Sequence, residues 1–145
     1  MTTKPSPMGN LARVLLAEDD EEMRALLARA LRGDGYQVVE CPDGFRLLEQ
    51  LNALLLSPEV LCMEPAPFDL IVSDIRMPGV TGLSVLEGLQ LFEDLPPMIL
   101  ITALGDEATH AAARRWGAVA VFDKPFDLDD LLAKVREIAP ARSRS

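Results

Sequence analysis

Val14-Leu15-Leu16-Ala17-Glu18-Asp19-Asp20 is a run of four apolar residues that stops against three acids. Four apolar residues with no polar alternation read as a strand buried on both faces, as the strands of a parallel sheet are. The period then changes. Met23, Leu26, Leu27, Ala30 and Leu31 recur at helical spacing, with Asp20 placed to cap that helix and Gly33 and Gly35 to end it. The same unit repeats along the chain. Tyr36 to Glu40 reads as a second strand, followed by a helix through Phe45, Leu47, Leu48, Leu51 and Leu55. Leu70 to Ser73 is a third strand stopping at Asp74, with a helix through Leu83, Leu86 and Leu89 after Thr81-Gly82. Met98 to Ile101 is a fourth, ending at Thr102 before a small-residue helix from about Asp106 to Trp116. Ala118 to Phe122 is a fifth, and a last helix after Asp127 is expected to bury Leu128, Leu131, Leu132, Val135 and Ile138. Five nearly all-apolar strands alternating with five helices predict an α/β fold, a parallel sheet covered on both faces.

Composition sets bounds on this reading. The length of 145 residues suits one domain, and an apolar fraction of 49% is enough to build a core. Lys and Arg number 14 against 23 acids, a formal charge of −9, which argues against a phosphate-backbone binder and fits a cation or a basic partner. Cys41 and Cys62 are too few for a zinc site. The amino end has no apolar core of a secretion signal, and no run approaches the roughly eighteen apolar residues of a membrane span. The expectation is a soluble cytoplasmic unit over residues 11–139. Residues 1–10 form a flexible lead-in, 57–68 a long proline-rich loop and 140–145 a short tail.

In an open parallel sheet the functional crevice lies beyond the carboxyl ends of the strands. Those ends carry Glu18 and Asp19, Asp74, Thr102 and Lys124. Each alone has an ordinary explanation as a helix cap, a turn residue or a solvated cation; their convergence on one edge is the specific signal. Three carboxylates and one ammonium leave a net charge of −2, which one hard divalent cation cancels, and all-oxygen ligation favours magnesium. A cation, a spare carboxylate, a Lys and a hydroxyl suit phosphoryl transfer, in which one carboxylate attacks while metal and Lys neutralise the transferring oxygens.

Val14-Leu-Leu-Ala-Glu-Asp-Asp20, Leu70-Ile-Val-Ser-Asp-Ile-Arg-Met-Pro-Gly79, Ile101-Thr-Ala103 and Lys124-Pro-Phe126, in this order, resemble the receiver domains of two-component response regulators. The resemblance implies a flavodoxin-like, doubly wound five-stranded sheet of order 2-1-3-4-5. It implies that Asp74 is the phosphoacceptor, served by a histidine kinase or a histidine phosphotransfer protein. Mg2+ would be held by Asp19, Asp74 and the Arg76 backbone carbonyl, with Glu18 acting through a metal-bound water or a longer reach. Thr102 would be the switch hydroxyl and Lys124 the phosphate-contacting cation, its bond to Pro125 cis. The protein is then a signalling switch and not an enzyme in the ordinary sense, a monomer or weak dimer, acting on a downstream protein target. A phosphorelay intermediate, or the receiver of a larger regulator or hybrid kinase, is the alternative. An aspartyl-nucleophile phosphohydrolase is disfavoured because Arg76 stands where its acid–base Asp is expected.

The chain departs from that pattern at three places. Glu18 replaces the commoner Asp, loop 57–68 lengthens the interval before Asp74, and Val121 stands where an aromatic residue is usual. Phe122, next door, points to the opposite face of its strand. The readout is therefore expected to run through the backbone of residues 103–107 and the helix after it. His110 reads as a surface residue, Arg114-Arg115 as a solvated helix end, Trp116 as core packing, and Cys62-Met63 as an apolar plug under the long loop.

Overall fold

A computed structural model describes residues 11–55, 68–77, 80–89, 96–103 and 106–141. The lead-in 1–10, most of loop 57–68 with its Cys62-Met63 plug, and the tail 142–145 lie outside the described residues. Five strands, β1 (Arg13–Ala17), β2 (Gln37–Cys41), β3 (Leu70–Asp74), β4 (Met98–Thr102) and β5 (Ala120–Asp123), alternate with five helices. The helices are α1 (Glu21–Gly33), α2 (Gly44–Leu55), α3 (Gly82–Leu89), α4 (Glu107–Arg115) and α5 (Leu128–Ile138). All strands pair in parallel in the order β2-β1-β3-β4-β5, the expected doubly wound topology.

Strand alternation splits the interior into two layers. Leu15, Ile71, Met98 and Leu100 face α2, α3 and α4, where Leu47, Leu51, Val85, Leu86 and Ala113 complete the layer. Val14, Leu16, Val72, Ile99 and Ile101 face α1 and α5, against Leu27, Leu31, Leu131 and Val135. The central strands β3 and β4 are buried at every position, whereas edge strands β2 and β5 are mostly half-buried. That gradient explains why the central strands are the most plainly apolar in sequence.

Asp20 caps α1 as expected, its side chain accepting the N–H groups of Glu22 and Met23 at 3.0 and 3.1 Å. Two strand starts differ from the sequence reading for one shared reason. Gly35 (φ 97°) and Gly117 (φ 95°) take left-handed conformations, and the next residue donates back into the preceding helix. Tyr36 N–H reaches Leu31 O at 3.1 Å and Ala118 N–H reaches Ala113 O at 2.9 Å, so both residues are spent on helix termination. Accordingly β2 begins at Gln37 and β5 at Ala120. The expected apolar faces also need correction. Leu26 (49% exposed) and Phe45 (61%) point outward, because the sheet-facing stripes run through Leu27 and Leu31 on α1 and Leu47 and Leu51 on α2. In α5 only Leu131 and Val135 are fully buried, while Leu128, Leu132 and Ile138 flank them half-buried. No helix among the described residues is long and apolar enough to cross a membrane.

Candidate functional site

The sequence-predicted residues meet at the carboxyl edge. β1 delivers Glu18 and Asp19 just beyond Ala17, β3 ends on Asp74, β4 on Thr102, and β5 leads into Lys124. Ser73, Glu18, Asp74 and Thr102 are the buried polar residues among those described, a concentration that needs compensation from partners. The Lys124 ammonium supplies part of it, lying 2.9 Å from Glu18 Oε1 and 2.8 Å from Asp74 Oδ2. Its backbone is set by the Lys124 N–H donating to Thr102 O at 2.8 Å, and Lys124–Pro125 is cis as expected.

The remaining oxygens are held by the local backbone. Arg76 N–H donates to Asp74 Oδ1 at 3.0 Å, and Asp20 N–H donates to Glu18 Oε2 at 3.1 Å. Arg24 Nη1 donates to Glu18 O at 2.9 Å, bracing the β1–α1 turn from within α1. The start of α3 closes on the end of β3: Gly82 N–H donates to Ile75 O at 2.9 Å, and a Cβ at Gly82 would lie 2.5 Å from Asp74 O. Ser73 Oγ donates to that same Asp74 carbonyl at 2.9 Å.

Burial pushes the Glu18 carboxyl up to about 7, against the downward pull of the Lys124 ammonium and the Asp20 amide. For Lys124, desolvation acts downward, but its hydrogen bonds to Asp74 and Glu18 together outweigh it and the net shift is upward. Glu18 and Lys124 thus hold each other at 2.9 Å behind the carboxyl ends of β1 and β5.

Carboxylate oxygens of Glu18, Asp19 and Asp74 lie within 4.8 Å of one another. Hard oxygen donors at that spacing suit a hard divalent cation, magnesium among them. Glu18 is buried and engaged by Lys124, whereas Asp19 is exposed and lines an open crevice of about 630 Å³ with Arg76, Thr81, Thr102 and Thr109. Asp19 is therefore the carboxylate most open to an arriving cation, with Asp74 and Glu18, both contacted by Lys124, behind it.

Sequence reasoning missed several contributors. His110 is half-buried instead of lying free on the surface, with Nε2 2.7 Å from Asp123 Oδ1, and so ties α4 to the end of β5 beside Lys124. The braces from Ser73 and Arg24 were equally invisible, since each acts through a backbone carbonyl that no motif records. Trp116 packs half-buried on the core as expected, with the Arg115 guanidinium 5.8 Å from its ring centre.

Relatives share this architecture. The chain is 32% identical over 127 residues to the transcriptional regulatory protein TcrA of Mycobacterium tuberculosis, covering 88% of this chain and 46% of TcrA. It is 34% identical over 122 residues to the DNA-binding transcriptional regulator NtrC of Escherichia coli, covering 84% of this chain and 24% of NtrC. It thus spans less than half the length of either regulator. The crystal structure of response regulator TrrA from Thermotoga maritima, determined in complex with Mg(2+)-BeF, superposes with a TM-score of 0.70 at 26% identity, covering 88% of this chain and 98% of TrrA. With the response regulator receiver domain profile matching residues 14–136, and the acidic crevice at the expected edge of the expected sheet, the chain belongs to the response regulator receiver domain family of two-component systems.

Proposed function

We propose that Asp74 accepts a phosphoryl group from the phosphohistidine of a histidine kinase or phosphotransfer protein, in a Mg2+-dependent reaction that changes the binding of a downstream protein. The observation that carries this reading is the setting of Asp74. It is buried at the end of the central strand β3, with an ammonium 2.8 Å from one oxygen and two further carboxylates beside it. In the transfer, the donor's phosphorus–nitrogen bond breaks as a phosphorus–oxygen bond to Asp74 forms, and the leaving imidazole takes up a proton.

Asp19, Asp74 and the Arg76 carbonyl would hold magnesium, which would supply positive charge for the oxygens of the transferring group. The Lys124 ammonium exchanges its contact with the Asp74 carboxylate for one with the incoming phosphoryl, while Glu18 keeps it in place from the other side. The phosphorylated side chain carries about −1.5 to −2 charges and three strong acceptor oxygens. Thr102, at the end of the neighbouring strand and lining the same crevice, donates its hydroxyl to one of them and carries Ala103 with it. Residues 11–139 constitute the working receiver, in the cytoplasm with its kinase. Transfer onward to another histidine protein is the second use of the same site. The longer transcriptional regulators among the relatives favour the switch.

Incubation of the protein with a small phosphoramidate donor and Mg2+ tests the reading. Intact mass should rise by one phosphoryl group, acid-stable only as an acyl phosphate is, and Asp74→Asn should abolish the increase. Equal phosphorylation of the Asn variant would remove Asp74 from its assigned role.

A further inference from the structure

Gly44 opens α2 on the side of the sheet that faces α3. A Cβ built on it would collide with the Val80 carbonyl oxygen and lie 2.8 Å from Val80 Cβ and 2.9 Å from Val80 C. Side chains in real proteins do not tolerate such separations, and two of the three atoms are backbone, so no rotamer change relieves the contact. Among the described residues only Gly35 and Gly117 have positive φ, so nothing in its own backbone conformation requires glycine at position 44. Helix propensity alone favours Ala there. The remaining reason for glycine is the close approach of Val80.

Val80 lies two residues before Gly82, where α3 begins, and Gly82 in turn meets the backbone of Asp74 and Ile75. Gly82 packs against Asp74 O, and its N–H donates to Ile75 O at 2.9 Å. Val80 itself rests on Gly44. Asp43 anchors the start of α2, its Oδ1 accepting the Arg46 N–H at 2.8 Å and fixing the first turn of that helix.

We infer that Gly44 is a positioning residue for the cation site: by admitting Val80 against the start of α2, it keeps Val80 and Gly82 in place, and with them the Gly82 contacts to Ile75 and Asp74 that set the backbone leading to Arg76. This rests on the reading of Asp19, Asp74 and Arg76 as the Mg2+ site, and goes beyond it by placing one determinant of that site on a different element. A side chain at position 44 pushes Val80 away from α2 and, through Gly82, shifts the backbone that follows Asp74, while Glu18 and Asp19 beyond β1 stay in place.

The test is titration of the full chain with MgCl2, followed by calorimetry and by amide chemical shifts. Gly44→Ala should weaken Mg2+ binding by about tenfold, the scale on which groups behind a metal's direct ligands tune affinity. Phosphorylation by a small donor should return to near the wild-type rate once Mg2+ saturates. That split between affinity and maximal rate separates positioning from general damage to the fold. Phe45→Ala, one residue along and exposed, should leave Mg2+ binding unchanged. Val80→Gly keeps Gly44 but removes the side chain that leans on it, and should weaken binding by a smaller factor; it decides the matter if Gly44→Ala fails to fold. Wild-type Mg2+ affinity in a folded Gly44→Ala protein, or in Val80→Gly where the first variant is unfolded, would overturn the inference and leave the Mg2+ reading standing. A wild-type chain that takes up no Mg2+ would overturn both.

Discussion

The two edges of the sheet treat charge in opposite ways. At the amino edge, charged and polar groups meet in pairs: Asp34 with Arg136, Tyr36 OH donating to Ala139 O at 2.6 Å, and Asp69 accepting the Arg13 N–H at 2.8 Å. The first two bind the end of α5 to the turn between α1 and β2, and the third ties the start of β1 to the residue before β3. At the carboxyl edge, the carboxylates of Glu18 and Asp74 share one ammonium and a third, Asp19, lies beside them. Folding could have matched these groups as it matched the others. A cluster of carboxylates left short of positive charge suits the uptake of a cation.

The largest expected effect breaks the carboxyl edge. Asp19→Asn removes an exposed carboxylate with little consequence for packing, and should weaken Mg2+ by more than the roughly ten- to hundredfold typical of groups behind the ligands. Glu18→Gln should weaken it less, because Glu18 is turned to Lys124 and the Asp20 amide. Parallel MgCl2 titrations rank the two variants, and a reversed order would exchange the roles assigned to Glu18 and Asp19.

A middle-sized effect is expected at the amino edge, and on stability alone. Tyr36→Phe loses one buried hydrogen bond and should cost about 1 kcal/mol in denaturant melts, with Mg2+ affinity unchanged. Arg136→Ala should cost less, since that pair is half open to solvent. The tyrosine also has a pH signature. Burial raises the Tyr36 phenol above its ordinary value of 10.0, with Asp34 adding to the rise and Arg136 opposing it. A group raised in the folded state stabilises below its unfolded value and loses that contribution as pH climbs through the folded one. The stability gap between wild type and Tyr36→Phe should therefore be full at neutral pH and shrink above about pH 10. A gap that widens there would contradict the assignment.

The two edges also differ in how far they could be read in advance. The acidic edge was legible because parallel topology sends every strand's last residues to one place, so residues far apart in sequence can be gathered without coordinates. Glu18, Asp19, Asp74, Thr102 and Lys124 were collected in that way. The amino-edge clasp was not legible, since Tyr36 to Ala139 and Asp34 to Arg136 join elements whose contact depends on helix length and tilt. Tyr36 was read as a strand residue because its backbone role in ending α1 leaves no trace in apolar periodicity. His110 was read as surface for a similar reason: its partner Asp123 lies across the layer between a helix and a strand end. Gly44 follows Asp43 in a pair that reads as a helix start, and nothing in it announces Val80.

The smallest expected effect concerns how the carboxyl edge reports to the rest of the molecule. Val121 and Phe122 are neighbours on β5 yet belong to different layers, Val121 against the α4 side with Trp116 and Leu100, Phe122 against the α5 side. The Phe122 ring already has a partner, Phe126, with centroids 6.0 Å apart. It therefore cannot serve the α4 side by a rotamer change, because strand geometry directs it through the sheet. Val121 does face that side, but its single stiff torsion lets it fill little of any space that Thr102 vacates on moving toward a phosphoryl oxygen. The response should stay in the backbone around Ala103 and the first turn of α4, where Asp106 caps the helix by accepting the Thr109 N–H at 2.7 Å, and the His110–Asp123 contact should limit its spread. Amide exchange with and without a phosphoryl mimic should thus change at Ala103 and Glu107–Thr109 and hardly at Phe122, with a modest gain in affinity for the downstream partner. Val121→Tyr restores a ring on the correct face and should enlarge the exchange difference along β5 and α4. If the wild-type change instead centres on Phe122 while Ala103 and α4 stay still, the signal crosses the sheet by a route this packing does not provide.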